Sequence, residues 1–110
     1  MPETVSFEEF KKLELVIGTV RSVEEHPNAD KLYVLKVDLR EAEERTLVAG
    51  LKPYYEPDEL EGKQLVVVAN LEPATLRGVE SRGMLLAAQE GDTVVIISPE
   101  KPLVPGSKVL

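Results

Sequence analysis

Short apolar segments rich in valine, isoleucine and threonine recur along this chain, and polar turns separate them. Branched β carbons favour strands, and segments of this length are shorter than most helices. The principal predicted strands span 15–23, 31–39, 45–50, 64–71 and 84–88, with a further strand at 93–97 and an edge strand at 108–110. The sequence therefore predicts an all-β protein.

Three details of these segments predict how the strands are buried. The odd positions of 33–39 are apolar, whereas Lys36 and Asp38 face the other way, so one face of this strand is expected in the core. The segment 64–71 is apolar almost throughout, which indicates a strand that is buried on both faces or closes a barrel. Gly18 lies inside the first strand and predicts a bulge or a sharp bend there.

The first residues of the chain have the spacing expected of a helix. Ser6 and Glu9 have the spacing of a capping box, in which each side chain bonds the backbone of the other residue. Phe7, Phe10 and Leu13 recur at helical spacing and form one apolar edge. A short N-terminal helix is therefore predicted.

A second helical turn is predicted between the third and fourth strands. In 54–62, Pro57 is suited to begin a helix and Gly62 to end it. Five principal strands with a small helix between the third and fourth are the order of an OB fold, a five-stranded Greek-key barrel. An immunoglobulin-like sandwich would need more strands and no helical insert. Because no internal repeat or linker is visible, residues 1–110 are expected to form a single domain.

The sequence contains no recognisable combination of catalytic residues. The chain has no cysteine, and its one histidine, His26, has no nucleophile or orienting carboxylate at a recognisable spacing. The glycine-rich phosphate motifs and the HExxH zinc motif are absent, and the carboxylates lie in charged turns without the pattern of a calcium loop. We expect a protein that is not an enzyme and has no metal or cofactor, in which His26 makes local hydrogen bonds.

Nothing in the sequence predicts export or a membrane span. Residues 1–6 are polar and acidic, unlike a signal peptide, and the longest apolar run, 65–69, is far too short to cross a bilayer. Together with the absence of cysteine, this predicts a soluble, cytoplasmic protein.

The first of three candidate binding segments is the turn 26–32. It would present the Asn28 amide and the Lys31 ammonium at the mouth of a barrel. An amide suits a base edge or a ribose, and an ammonium suits a phosphate. An ordinary hairpin turn, with Pro27 and an Asx turn, explains the same residues.

The other two segments are 70–78 and 81–84. Arg77 precedes a glycine and has the side chain to bind phosphate at two points, although exposed loop arginines are common. Ser81, Arg82 and Met84 lie at the entry to a strand, where the alternative is a β-bulge with Met84 in the core. Each signal is weak alone, but all fall on the loops and strand starts through which OB barrels bind oligomers.

Six stretches extend this pattern, in order and over nearly the whole chain: 15–20, 26–32, 48–51, 66–71, 76–78 and 81–88, with Pro105 and Gly106 near the end. In these stretches the sequence resembles the tRNA-binding domain family. Such domains occur at the C-terminus of many bacterial methionyl-tRNA synthetases and as free-standing tRNA-binding proteins. They also occur in the endothelial-monocyte-activating polypeptide and its relatives.

The resemblance implies an OB fold that binds tRNA by shape near the corner of the L. It also implies a homodimer built from the N-terminal helix, here Phe7, Phe10 and Leu13, together with C-terminal elements. A methionyl-tRNA synthetase catalytic chain is an expected partner. The implied tRNA contacts are Asn28, Lys31, Arg45, Arg77, Ser81 and Met84. Two positions depart from the family pattern: Ala49 replaces a frequent serine, and Arg82 stands where the residue is often neutral or acidic, which adds Arg82 to the candidates.

The net charge of -7 opposes a general attraction for phosphate, so RNA binding must depend on local placement. Acidic residues concentrate in 8–9, 24–25, 41–44 and 56–61, whereas the cations expected on the binding face are Lys31, Lys36, Arg45, Arg77 and Arg82. Aromatic residues make up only 5% of the chain, too few for a stacking platform, which favours recognition of folded RNA by shape. The alternative is a protein-interaction or secretion-type chaperone module, which would lack the Asn28/Lys31 turn and the Arg77 loop.

Overall fold

The fold is given by a computed structural model, which describes residues 3–110. The described elements, in chain order, are α1 (Phe7–Phe10), β1 (Leu15–Glu25), β2 (Tyr33–Asp38), β3 (Arg45–Ala49), α2 (Pro57–Leu60), β4 (Gln64–Val68), β5 (Ala74–Leu76), β6 (Val79–Ser81), β7 (Met84–Leu85), β8 (Ala87–Glu90) and β9 (Thr93–Ile96). Strands dominate, and the small helix α2 lies between β3 and β4 as predicted.

Five strands form one antiparallel sheet in the order β3-β2-β1-β4-β7. Its two ends approach each other, because the Arg82 N–H donates to the Thr46 carbonyl on β3 at 2.8 Å. The Val48 N–H on β3 also donates to the Ser81 hydroxyl at 3.0 Å. The sheet is therefore nearly closed into a barrel, and the predicted OB-like fold is confirmed.

The long strand β1 serves two partners along its length. Residues 15–19 pair with β4, and residues 19–25 pair with β2. The register shifts between Val20 and Ser22, so the bulge lies after Gly18 and not at it. A Cβ on Gly18 would lie 2.5 Å from Val37 Cγ1 and 2.7 Å from Leu39 Cδ2. Gly18 thus allows two strands to approach closely inside the barrel, which is the other reason for a glycine within a strand.

The core follows the predicted strand periodicity. On β2, Tyr33, Leu35 and Val37 are buried while Lys36 is exposed. On β4, the four residues 65–68 are all buried, which confirms a strand covered on both faces. Leu60 of α2 joins this cluster and is fully buried, so the small helix closes one side of the core.

The later part of the chain differs from its prediction in two places. The predicted loop at 72–83 contains the hairpin β5–β6, and the predicted strand 84–88 is divided at Leu86 into β7 and β8. β7 completes the barrel beside β4, whereas β8 pairs with β9 as a separate two-stranded sheet. The Leu86 N–H still donates to Val66 on β4 at 3.0 Å, so the chain leaves the barrel only after this residue.

The two ends of the described chain are fixed by different contacts. The C-terminal segment covers the part of β1 that β2 does not reach, with the Ile17 N–H bonded to the Ser107 carbonyl at 2.8 Å and a bridge between Val16 and Lys108. At the other end, the predicted capping box is present in α1: the Glu9 N–H donates to the Ser6 hydroxyl at 3.1 Å. Within residues 3–110, no helix has the length and apolar character needed to cross a membrane.

Candidate nucleic-acid interface

The outer face of β1, β2 and β3 carries a row of polar side chains. Ser22, Lys36 and Thr46 are register partners on the three strands, and the Lys36 ammonium donates to the Thr46 hydroxyl at 2.6 Å. Alternation places these side chains outside because their strand neighbours fill the core. The row lies next to the barrel seam, where Thr46 accepts the Arg82 N–H.

The turn after β1 is closed by His26. Its ring Nδ1 accepts the N–H of Asn28 at 2.9 Å, and the backbone N–H of His26 donates to the Leu32 carbonyl at 3.1 Å. The predicted local hydrogen-bonding role of His26 is confirmed, and the histidine ring closes this turn in place of the expected Asx interaction. Asn28 and Lys31 are both exposed on the turn.

Arg77 lies at the tip of the β5–β6 hairpin. The two residues between the strands have positive φ angles, 51° at Arg77 and 90° at Gly78. Two successive positive φ angles are the geometry of a type I′ hairpin, whose twist matches that of the strands it joins. The tight turn places the exposed Arg77 at the tip of the hairpin.

The structure brings the first two candidate segments together. The Asn28 side-chain amide lies 3.4 Å from the Arg77 carbonyl, although the two residues are 49 positions apart. The imidazole of His26 makes a second contact between the two segments, because its Nε2 lies 2.8 Å from the Leu76 carbonyl. Asn28, Lys31 and Arg77 therefore share one end of the barrel.

Ser81 is the candidate that the structure places inside the protein. It is 2% exposed, its hydroxyl accepts the Val48 N–H, and it donates to the Gly83 carbonyl at 2.9 Å. Because the hydroxyl is buried and bonded on both sides, it is not presented to a ligand. Its position supports a structural role at the barrel seam.

Arg45 is close to the surface but its charge is already partnered. The guanidinium binds the Glu41 carboxylate at 2.7 and 3.2 Å and donates to the carbonyls of Ala69 at 2.6 Å and Arg82 at 2.9 Å. The side chain is only 19% exposed. The structure places Arg45 beneath the candidate surface, where it joins three chain segments.

Arg82 and Met84 are exposed and extend the surface along the seam. The Arg82 guanidinium lies 4.0 Å from the Glu80 carboxylate, a loose pairing between two exposed side chains. Met84 is 37% exposed, which excludes the alternative that it packs in the core. We call the exposed set Asn28, Lys31, Lys36, Arg77 and Arg82 the cationic face.

The described residues also limit other kinds of chemistry. Both nitrogens of His26 are hydrogen-bonded and the residue is 5% exposed, so the ring is not available as a general base. Across 3–110, no group of three or more histidine or carboxylate side chains has the arrangement of a metal site. Ala49, which stands where the family often has a serine, is the last residue of β3 and is buried at 6% exposure.

Comparison with known proteins shows which family this chain is similar to. The family described as "Putative tRNA binding domain" matches residues 15–108. Methionine–tRNA ligase from Pyrococcus furiosus is 61% identical over 105 residues, which are 96% of this chain and 14% of the ligase. The solved structure of a MetRS-related protein from Pyrococcus horikoshii has a TM-score of 0.90 at 37% identity and covers 99% of this chain and 100% of its own.

A third similar structure is that of a chaperone. The solved structure of the chaperone CsaA from Bacillus anthracis has a TM-score of 0.87 at 32% identity and covers 98% of this chain and 100% of its own. The present chain spans only about a seventh of the P. furiosus ligase it matches. The family match nevertheless includes the barrel and both loops of the cationic face, and the chain belongs to the tRNA-binding domain family.

Proposed function

We propose that this chain binds folded tRNA through the cationic face, as a non-catalytic module. The observation that carries this proposal is the convergence of the 26–32 turn and the β5–β6 hairpin, which places Asn28 against Arg77 at 3.4 Å with Lys31 in the same turn. OB folds bind oligomers across the strand 2–3 face and the loops at this end of the barrel. The cationic face occupies that region.

The chemistry of the face suits a folded RNA backbone. Lysine and arginine neutralise phosphates, and the exposed Asn28 amide supplies a donor and an acceptor for ribose or a base edge. Within residues 3–110, the two aromatic rings that lie close together are Phe7 and Phe10 on α1. The cationic face contains no aromatic residue. A surface that lacks stacking groups recognises backbone shape better than single-stranded bases.

Acidic residues reduce the number of cations that are available to bind RNA phosphates. Glu41 occupies Arg45, Glu80 lies beside Arg82, and Glu44 pairs with Arg21 at 3.7 Å. Of the cations on the cationic face, Lys31, Lys36 and Arg77 are not in the ion pairs formed within 3–110. Affinity therefore depends on an RNA that contacts these three cations at once. Binding is expected to be moderate and strongly weakened by salt.

The module would act beside a catalytic chain. Its resemblance to part of methionine–tRNA ligases supports a methionyl-tRNA synthetase as partner, with residues 1–110 as one tRNA-binding unit working in the cytoplasm. A tethered or associated tRNA-binding module raises the local concentration of tRNA near the active site. The reaction itself would belong to the partner.

The apolar edge of α1 supports a homodimer. Phe7 is 71%, Phe10 45% and Leu13 43% exposed, and α1 has no buried residue. Asn70 holds the following segment against β4 by donating to the Lys12 carbonyl at 2.6 Å and accepting the Glu14 N–H at 2.8 Å. An apolar edge that is fixed in place but uncovered suits the same edge of a second copy.

A mobility-shift titration over a salt series tests the tRNA proposal. Total tRNA is compared with an unstructured RNA of the same length. The proposal predicts tighter binding of tRNA at every salt concentration, with a steep loss of affinity as salt rises. Equal affinity for the two RNAs, or no binding to either, would contradict it.

The chaperone-type structure with a TM-score of 0.87 supports a second candidate function, binding of unfolded protein. The Asn28/Lys31 turn and the Arg77 hairpin, whose loss would favour this alternative, are both present here. Suppression of the aggregation of a denatured test protein, at stoichiometric amounts and without competition by tRNA, would support the chaperone role instead.

A further inference from the structure

We infer that His26 is a positioning residue for RNA binding: as a neutral ring protonated on Nε2, it sets the distance between the Asn28/Lys31 turn and the Arg77 hairpin. The inference deepens the proposed function and rests on it for its effect on RNA affinity. Its structural part concerns only the two hydrogen bonds of the ring, and these can be measured without RNA.

The partners of the ring determine its protonation state. A carbonyl oxygen only accepts, so the 2.8 Å contact between Nε2 and the Leu76 carbonyl requires a proton on Nε2. A backbone N–H only donates, so the 2.9 Å contact from Asn28 requires a bare Nδ1. Both bonds form at once only in the neutral Nε2–H tautomer.

This tautomer links the two loops directly. One ring nitrogen orients the backbone at Asn28, and the other orients the carbonyl that precedes Arg77. The direct bond between Asn28 and Arg77 is longer, at 3.4 Å, and exposed. The ring is 5% exposed, so its two bonds are shielded from water and are expected to hold the loops more firmly than the exposed contact does.

Two substitutions separate the two bonds. His26→Asn keeps an acceptor near the Nδ1 position but is too short to reach the Leu76 carbonyl. His26→Gln places an amide donor near the Nε2 position but removes the acceptor for Asn28. Each variant is expected to lose about three- to tenfold in tRNA affinity, the equivalent of one hydrogen bond.

Nitrogen-15 NMR tests the tautomer in the parent protein and the loop contacts in the two variants. The inference predicts the Nε2–H tautomer at neutral pH, a changed Gly78 amide signal in His26→Asn and a changed Asn28 amide signal in His26→Gln. An Nδ1–H ring in the parent, or a His26→Asn variant with an unchanged Gly78 signal and the tRNA affinity of the parent, would overturn it. If the parent binds no tRNA, the proposed function fails, and the tautomer and the Gly78 signal still decide whether His26 couples the two loops.

Discussion

Glu41 and Arg45 form a two-point ion pair, with the carboxylate oxygens 2.7 and 3.2 Å from Nη2 and Nε of the guanidinium. The remaining nitrogen, Nη1, donates to the carbonyls of Ala69 and Arg82. Arg45 therefore joins the β2–β3 connection, the end of β4 and the seam before β7. The charge of Arg45 is therefore used to hold the barrel together and is not free to bind a phosphate.

Replacing Glu41 by glutamine should strengthen RNA binding. The change removes a negative charge beside the cationic face, while Arg45 keeps its two carbonyl partners. We expect the dissociation constant for tRNA to fall about two- to fivefold at low salt, and the free energy of unfolding to fall by no more than about 1 kcal/mol.

The matched control is Glu8→Gln, which removes the same charge from α1. Titration of both variants with tRNA, beside urea denaturation, checks the prediction. An equal gain from Glu8→Gln would mean that only net charge matters, and weaker binding by Glu41→Gln would mean that the ion pair itself shapes the surface.

Removing the Arg77 charge should weaken binding in a way that salt reveals. Arg77→Asn is preferable to alanine because asparagine tolerates the positive φ of 51° at this position. We expect weaker binding of tRNA and a salt slope that is shallower by about one unit, as for one lost phosphate contact.

Arg40→Asn is a closely matched control. Arg40 is exposed and also has a positive φ, 64°, but it lies next to Gly106 at the opposite end of β2 from the Asn28 turn. The two variants have the same net charge, so equal loss of affinity for both would show that the binding face is misplaced.

Polar substitutions on α1 should separate the proposed dimer. Phe7→Ser combined with Phe10→Ser removes the two exposed rings, which lie 6.4 Å apart between centroids. Sedimentation equilibrium should give twice the monomer mass for the parent and the monomer mass for the double variant. Since α1 has no buried residue, the barrel should unfold at an unchanged temperature at low protein concentration. A monomeric parent ends the dimer proposal.

Alkaline pH should destabilise the barrel through Tyr33. Burial, followed by the nearby Glu56 carboxylate, raises the pKa of this phenol above its usual 10.0. A raised pKa in the folded state means that the stabilising contribution is fully present below about pH 10 and is lost as the pH rises through the folded-state value. The hydroxyl donates to the Tyr55 carbonyl at 2.7 Å, a bond that the phenolate cannot make.

Urea denaturation at neutral pH and above pH 10 checks this expectation with two variants. Tyr33→Phe should lose about 1 kcal/mol at neutral pH, because the hydroxyl bond is gone, and should show a smaller alkaline decline than the parent. Tyr54→Phe, at an exposed position, should behave as the parent does. A hydrogen bond to Glu25 also raises the pKa of Lys52, so part of the decline should persist in every variant. Identical alkaline curves for parent and Tyr33→Phe would remove Tyr33 as the cause.

The barrel could be predicted because its signals are local. The two-residue period of β2, the apolar run of β4 and the Ser6–Glu9 capping box each reflect neighbours in sequence, and each is found in the structure. The β5–β6 hairpin was harder to predict because its two-residue turn contains Arg77 where asparagine or aspartate would give a clearer signal. The apolar Leu76 and Val79 on either side of Arg77-Gly78 were the available hint.

Long-range partners explain the remaining differences at the site. The burial of Ser81 depends on Val48, 33 positions away, and the two carbonyls bound by Arg45 come from segments 24 and 37 positions away. A local pattern identifies a serine or an arginine near a loop, but it does not show which backbone groups will reach that side chain. For the same reason the bond from His26 to Leu76, across 50 positions, is visible only in the folded chain.

A backbone-amide NMR titration of the isotope-labelled protein with tRNA would show which surface of the barrel binds RNA. We expect that, at low salt, the signals that shift first are those of Asn28, Lys31, Lys36, Arg77 and Arg82, while those of Arg40 and Lys108 at other parts of the barrel stay in place. An unstructured RNA of the same length should cause smaller shifts at the same concentration. Shifts centred away from the cationic face, or equal shifts with both RNAs, would contradict shape-specific tRNA binding by this surface.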